Sequence, residues 1–93
     1  MDWNILGLLA GAITASGFLP QIYRGYKTKS LEDLSYFMLI FFGVGLSLWL
    51  LYGIHLNDVP IILANTAGVM CTITLILMKF KYSKNKNPDL ISN

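Results

Sequence analysis

Three long stretches of the sequence carry no charged side chain, and they decide what the chain can fold into. They lie between Asp2 and Arg24, from Leu34 to Ile54, and from Val59 to Met78. Each is about 20 residues long, and a helix of that length crosses the roughly 30 Å hydrocarbon core of a bilayer. With 55% hydrophobic residues and a mean hydropathy of +0.58 over 93 residues, the chain is too apolar for an ordinary soluble domain. The sequence predicts an all-α membrane protein with three spanning helices.

The three stretches also give approximate boundaries. We predict one transmembrane domain, 1–82, with helices at about 3–24, 33–54 and 58–80, and a polar, disordered tail at 83–93. Ser30 followed by the acids Glu32 and Asp33 suits the start of the second helix, through capping and the helix dipole. The acidic flank at Asp2 argues against a cleaved signal peptide, so we expect the first helix to be retained.

Basic residues fall in two places along the chain. Arg24, Lys27 and Lys29 follow the first helix, and Lys79, Lys81, Lys84 and Lys86 follow the third. The positive-inside rule therefore predicts that the first loop and the C-terminus are cytoplasmic, with the N-terminus and the 55–58 turn outside the inner membrane. Every copy should insert the same way round, so a homodimer is expected to be parallel, with its twofold axis along the membrane normal.

The segment from Gly17 to Gln21 places a proline and a carboxamide near the end of the first helix. A proline in a helix removes one backbone donor and crowds the carbonyl four residues earlier, here that of Ser16. In a membrane the freed carbonyl needs another partner, which Gln21, Ser16 or a neighbouring helix can supply. We predict a bend point at Pro20 that faces protein or water, with a static kink as the alternative.

The second and third helices carry polar and aromatic side chains at spacings of three and four. On the second helix these are Ser35, Met38, Phe42, Gly45, Trp49 and Tyr52, and on the third Asp58, Asn65, Gly68 and Thr72. Tyr52 suits a membrane interface, whereas Trp49 lies about one turn deeper, where Gly45 leaves room for a flat ligand. A carboxamide inside a spanning helix is costly unless it is paired, so Asn65 is expected either to bond another helix or to face a wet cavity.

The sequence contains no pattern that is typical of a catalytic site. It has no nucleotide-binding loop and no metal-ligand cluster, and its single histidine and cysteine, His55 and Cys71, lie on different segments. We therefore expect neither enzymatic activity nor a cofactor, a bound metal or a nucleic-acid partner. Besides the lipid bilayer, an aromatic plate with neutral hydrogen-bonding groups suits a neutral, hydroxyl-rich solute such as a sugar. Three helices are too few to enclose a sugar-sized path, so at least two copies must surround it.

The segments Gly17–Gln21, Trp49–Ile54 and Asp58–Asn65 together resemble those of the SemiSWEETs, the bacterial half-size members of the SWEET and PQ-loop transporters. SWEET folds are built of parallel repeats. The resemblance covers about residues 7–77. It implies a three-helix bundle of helix order 1-3-2, in which the third helix packs between the first two, and a transport unit of two such bundles.

The resemblance also implies roles for individual residues. It implies that Trp49 and Asn65 bind the sugar and that Pro20 with Gln21 forms the hinge. It also implies an inner gate of Met38 and Phe42 and an outer gate of Tyr52 and Asp58. Some relatives have an arginine at the position of Leu56, where it can pair with the acid. For this chain, hydrogen bonding between Tyr52 and Asp58 is expected instead.

The predicted function is facilitative, alternating-access transport of a mono- or disaccharide of the glucose or sucrose class. Proton or sodium coupling is not expected, because the spans carry no titratable or charged group at midmembrane. Two alternatives stay open: a PQ-loop-type carrier of an amino acid or another small polar solute, and an accessory subunit that packs against a larger membrane complex.

Overall fold

The structure, a computed structural model, describes residues 2–86 and contains four helices in that range. They are α1 (Trp3–Ser16), α2 (Phe18–Thr28), α3 (Tyr36–Leu56) and α4 (Val59–Lys86). The first two helices form one span, Trp3–Thr28, so that the described residues provide three spans long and apolar enough to cross a bilayer. The prediction of an all-α protein with three spanning helices is confirmed.

Helix α4 occupies the centre of the bundle. It packs against each of the other helices, whereas α1 and α3 do not contact one another in the described part of the chain. Glycines allow the close approach: a Cβ atom added at Gly11 would lie 2.7 Å from the Cβ of Ala64, and one added at Gly53 would lie 2.6 Å from Cγ2 of Ile61. The third span therefore lies between the first and the second, which is the predicted order 1-3-2.

The first span is interrupted at Gly17, three residues before Pro20. The Gly17 N–H bonds to the Thr14 carbonyl at 3.1 Å, which is the tighter i−3 pattern common at helix ends. Gly17 keeps right-handed dihedral angles, φ −67° and ψ −23°, so the interruption tightens the helix without reversing it. Pro20 then lies in the first turn of α2, where its missing N–H costs little. The proline thus ends one helix and opens another, and its role as a hinge stays a prediction.

The connection between α2 and α3 packs into the bundle instead of starting a helix. Leu31 and Leu34 are both buried there, against a cluster formed with α3 and α4. The helix begins only after Ser35, whose hydroxyl accepts the Met38 N–H at 3.0 Å. Helix α3 therefore starts three residues later than the sequence predicted from Ser30 and the acids, because burial of the two leucines holds this segment in a loop.

The large buried apolar side chains of the described residues gather at one end of the bundle. They are Leu31, Leu34, Leu39, Leu75 and Tyr82. We call this the basic end, because the lysines and the arginine of the described chain lie there; the other end, at the α3–α4 turn, is the hairpin end. Helix α1, which runs from the hairpin end to Gly17, contributes no buried residue. The buried apolar cluster of the described residues thus lies at the basic end, whereas the hairpin end is held by close contacts at glycines.

Helix α4 extends beyond its predicted end near residue 80 and runs to Lys86. Residues 83–86, which the sequence analysis assigned to the tail, are helical. Tyr82 is buried, and the Lys29 ammonium lies 5.6 Å from the centre of its ring, so packing against the end of α2 continues past the membrane-length stretch. The rest of the predicted tail, 87–93, lies outside the described residues.

Candidate functional site

Trp49 and Asn65 lie at the same depth on neighbouring helices. Two close contacts fix the register of α3 against α4: Gly53 with Ile61, and Leu46 with Gly68. Trp49 and Asn65 come midway between these contacts, on the two antiparallel helices. Since both helices rise by about 1.5 Å per residue, the two side chains start from one level of the bundle.

The Trp49 side chain lines an open groove on α3. Its ring contacts that of Tyr52 edge to face, with centroids 5.8 Å apart and an interplanar angle of 78°. The groove has a volume of about 490 Å³ and is also lined by Gly45 and Leu48. A Cβ atom added at Gly45 would meet no atom within 4 Å. The glycine therefore leaves free space beside the indole, as the spacing on α3 predicted.

Asn65 faces a different cavity, between α1 and α4. Its side-chain nitrogen donates to the Ile61 carbonyl at 2.8 Å, within its own helix. Because a carbonyl can only accept, this bond fixes the orientation of the amide and leaves the oxygen and one N–H for another partner. The cavity has a volume of about 240 Å³ and is lined mainly by small residues of the two helices. In the described chain Asn65 bonds its own helix and no other helix, and it lines this cavity, so its role in binding stays a prediction.

A third cavity lies at the basic end and brings together several residues singled out from the sequence. It has a volume of about 350 Å³, and Met38 and Phe42 of α3 line it opposite Phe18 and Gln21. Gln21 accepts a hydrogen bond through Oε1 from Arg24 Nη2 at 2.8 Å. Pro20 is exposed and is not among the residues that line this cavity. The two residues assigned to the inner gate thus share one cavity with the carboxamide beside the proline.

At the basic end an exposed ion pair, which was not predicted from the sequence, joins α2 to the loop before α3. Arg24 donates to the carboxylate of Asp33, in the loop before α3, as well as to Gln21. The Arg24 hydrogen bond lowers the pKa of Asp33 below its ordinary value of 3.8. The available signal was an acid so close to the basic cluster, although Asp33 was predicted only as part of a helix start.

The two residues assigned to the outer gate have separate contacts. The Asp58 carboxylate accepts the Ile61 N–H at 3.1 Å and so caps α4. Tyr52 instead packs against Trp49. The hydrogen bond expected between Tyr52 and Asp58 is not formed within residues 2–86. The reason is local: Asn57 ends α3 in a left-handed conformation, φ 53°, and Asp58 is taken up by the first turn of α4.

Comparison with known proteins agrees with this architecture. Residues 4–87 match the family described as sugar efflux transporter for intercellular exchange. The sugar transporter SemiSWEET of Leptospira biflexa is 43% identical over 80% of this chain and 86% of its own. That of Bradyrhizobium diazoefficiens is 32% identical over 85% and 92%. An uncharacterised protein of Methanocaldococcus jannaschii is 36% identical over 92% of each chain.

A solved structure matches as well. The crystal structure of a bacterial homologue of SWEET transporters superposes with a TM-score of 0.82 at 43% identity, covering 85% of this chain and 95% of that one. Sequence and fold thus agree over nearly all of the described residues, and the relatives with a named activity are sugar transporters and not enzymes. The chain belongs to the SemiSWEET sugar transporters, the family that its three motifs resemble.

Proposed function

We propose that this protein carries a neutral mono- or disaccharide of the glucose or sucrose class across the cell membrane by facilitative alternating access. The observation that carries the proposal is the common depth of Trp49 and Asn65, with free space at Gly45 beside the indole. The indole offers a face for the C–H groups of a sugar ring, and the amide offers one donor and one acceptor for its hydroxyls.

The transport unit is a parallel homodimer. The groove beside Trp49 is lined by residues of α3 alone, so a second wall has to come from another molecule. A second groove on α3, of about 370 Å³, is lined by large apolar side chains that include Phe37 and Phe41, and it extends the surface available for a partner. Two copies inserted in one orientation would place both Trp49 rings around one central path.

The basic end faces the cytoplasm and the hairpin end faces outward. Seven basic residues of the described chain lie at the basic end, against two acids in the adjoining loop. The hairpin end carries Asp2 and Asp58 and no lysine or arginine. This asymmetry is the one that orients spanning helices, with lysine and arginine retained in the cytoplasm.

The positions of the cavities along this axis support alternating gates. Met38 and Phe42 form the inner gate at the basic end, and Tyr52 and Asp58 form the outer gate at the hairpin end. The helices rock about Pro20, with Gln21 beside it, so that the gates close in turn around Trp49 and Asn65. The break at Gly17 supports this motion, because it separates α1 from the tightly packed basic end.

The test is uptake of labelled glucose and sucrose into liposomes that contain only this protein. Trp49→Ala and Asn65→Ala are each expected to lower saturable uptake by about tenfold or more, the scale of a lost buried polar or aromatic contact. Trp3→Ala and Asn4→Ala are the matched controls, because both residues are exposed near the N-terminus and line none of the cavities described above.

The contrary results separate the alternatives. If Trp49→Ala and Asn65→Ala transport as well as their controls, the binding site lies elsewhere. If the wild-type protein moves neither sugar, amino acids and other small polar solutes are tested next. A chain that moves none of these alone would fit an accessory subunit.

A further inference from the structure

Two residues of the first span line both of the cavities that lie between it and the rest of the bundle. Thr14 and Phe18 belong to the cavity that contains Asn65, and both also belong to the basic-end cavity that contains Gln21. The two cavities therefore adjoin. A solute that leaves Asn65 toward the basic end passes the side chains of Thr14 and Phe18.

The Thr14 hydroxyl is available for a ligand. Elsewhere in the described helices, Ser47, Thr72 and Thr74 each donate to the carbonyl four residues earlier, at 2.7 to 2.8 Å. Such bonds satisfy a hydroxyl within its own helix. Thr14 makes no such bond in the part of the chain that the structure describes, although it lies in an apolar span where a free donor is costly. Since Thr14 lines both cavities, its hydroxyl is free to bond a ligand in either of them.

The basic-end cavity repeats the chemistry of the site at Trp49 and Asn65. Phe18 and Phe42 supply aromatic rings, and Thr14 and Gln21 supply neutral polar groups. The side-chain oxygen of Gln21 accepts a hydrogen bond from Arg24, so its amide N–H groups can donate to a ligand. The volume of about 350 Å³ is in the range of small-molecule sites. No charged side chain is among the residues that line it, which again favours a neutral, hydroxylated ligand.

We propose that this cavity is a second sugar-binding site on the cytoplasmic side of Trp49 and Asn65. The Thr14 hydroxyl bonds a hydroxyl of the sugar, and the Phe18 ring packs against the sugar's C–H face. The proposal rests on the proposed function, because it takes the transported sugar as the ligand. Sugar then crosses in two steps, and Thr14 binds it after Asn65 on the way into the cell.

The first experiment compares two variants. Thr14→Val keeps the shape of the side chain and removes the hydroxyl, whereas Thr14→Ser retains the hydroxyl. In liposome uptake, Thr14→Val is expected to raise the half-saturating glucose concentration by about three- to tenfold, the effect of one lost hydrogen bond. Thr14→Ser should stay near the wild type. Thr74→Val is the matched control, because Thr74 is exposed and its hydroxyl bonds Met70 within α4.

A series of singly deoxygenated glucoses identifies the bond itself. The wild-type protein should discriminate against the analogue that lacks the bonded hydroxyl, and Thr14→Val should lose that discrimination while keeping the others. A merely structural effect of the substitution would weaken transport of all the analogues alike. Equal behaviour of Thr14→Val and Thr74→Val, with saturable wild-type uptake, overturns the second site and leaves the proposed function standing. A wild type that moves no sugar overturns both.

A second measurement does not depend on transport by the valine variant. In a Cys71→Ser background, Thr14→Cys places a thiol in the cavity, and Thr74→Cys places one outside it. Glucose should slow alkylation of the first thiol at least about threefold and leave the second unchanged, as occupancy of a site requires. An unchanged rate at position 14, in protein that transports glucose, contradicts the proposal.

Discussion

Leu31 packs directly onto Gly25, and the contact ties the loop before α3 to α2. A Cβ atom added at Gly25 would lie 2.5 Å from Leu31 Cδ2 and 2.8 Å from its Cγ. Both residues are buried, and Leu31 also contacts α4 through its carbonyl, which accepts from Lys79. Helix α2, the loop and the basic end of α4 are therefore held together as one unit, which excludes α1.

Gly25→Ala is expected to destabilise the protein. The added methyl group must displace Leu31, and overpacking of this kind costs about 1–3 kcal/mol, more than the gain in helix propensity of up to about 1 kcal/mol. Thermal unfolding of the purified protein in detergent measures the effect. Gly45→Ala is the control, since its new methyl group meets open space and should not lower the melting temperature. Equal melting temperatures of the two variants would show that the Leu31 side chain moves aside without loss of stability.

Gly45→Leu is expected to reduce transport strongly while leaving the fold intact. The leucine side chain would extend into the groove beside Trp49, where no atom lies within 4 Å of the glycine's added Cβ. Uptake of labelled sugar should fall by about tenfold or more, with a melting temperature close to the wild type, because no packed neighbour within the described chain is displaced. Undiminished uptake would mean that the space beside the indole is not on the sugar's path.

Much of the fold could be predicted because membrane spans are encoded locally. The charge-free stretches gave the three spans, and the motifs at Pro20, Trp49 and Asn65 gave the family and through it the helix order. Those features depend on hydrophobicity, length and identity of residues that are adjacent in the chain.

The details at the basic end could not be predicted because they depend on how a loop packs. Lys79 was counted only as a charge that sets orientation, yet it is buried beneath Leu31 and lies 5.0 Å from the ring centre of Tyr36. The pairing of Arg24 with Asp33 likewise requires the loop to fold back onto α2. The sequence also does not show which hydroxyls bond within their own helix, so it could not single out Thr14 as one that does not.

Pro20→Ala is expected to reduce transport more than stability. Alanine restores the backbone donor that the Ser16 carbonyl lacks, so α1 and α2 can join into one continuous helix through Gly17. The joined helix should be at least as stable as the interrupted one. Helix α1 could then no longer move relative to the basic end, which the proposed rocking requires. Parallel measurement of uptake and melting tests this, and unchanged flux would exclude Pro20 as the hinge.

Transport is expected to be insensitive to pH over the range from about 5 to 8. The pKa of Asp33 is lowered by the Arg24 hydrogen bond, so the stability that this pair contributes is present above the ordinary value of 3.8. It is lost only as the pH falls through the lower folded pKa, well below the range tested. Initial uptake rates at matched inner and outer pH should therefore be flat. A steep rise of uptake with an imposed pH gradient would contradict uncoupled transport.

Lys79→Met is expected to destabilise the basic end, whereas Lys81→Met is not. The Lys79 ammonium donates to the Leu31 carbonyl at 3.1 Å and is buried, so the substitution removes one charge-assisted hydrogen bond worth about 1.5–3 kcal/mol. Lys81 is exposed, and its loss removes the same charge from the same end of α4 without that bond. Because both variants change the charge that orients the helices equally, a difference in their melting temperatures reports the buried contacts of Lys79, which are the hydrogen bond to Leu31 and the contact with the Tyr36 ring. If the two variants have equal melting temperatures, the Gly25–Leu31 packing is sufficient to hold the loop, and neither the Leu31 bond nor the Tyr36 contact of Lys79 stabilises the protein.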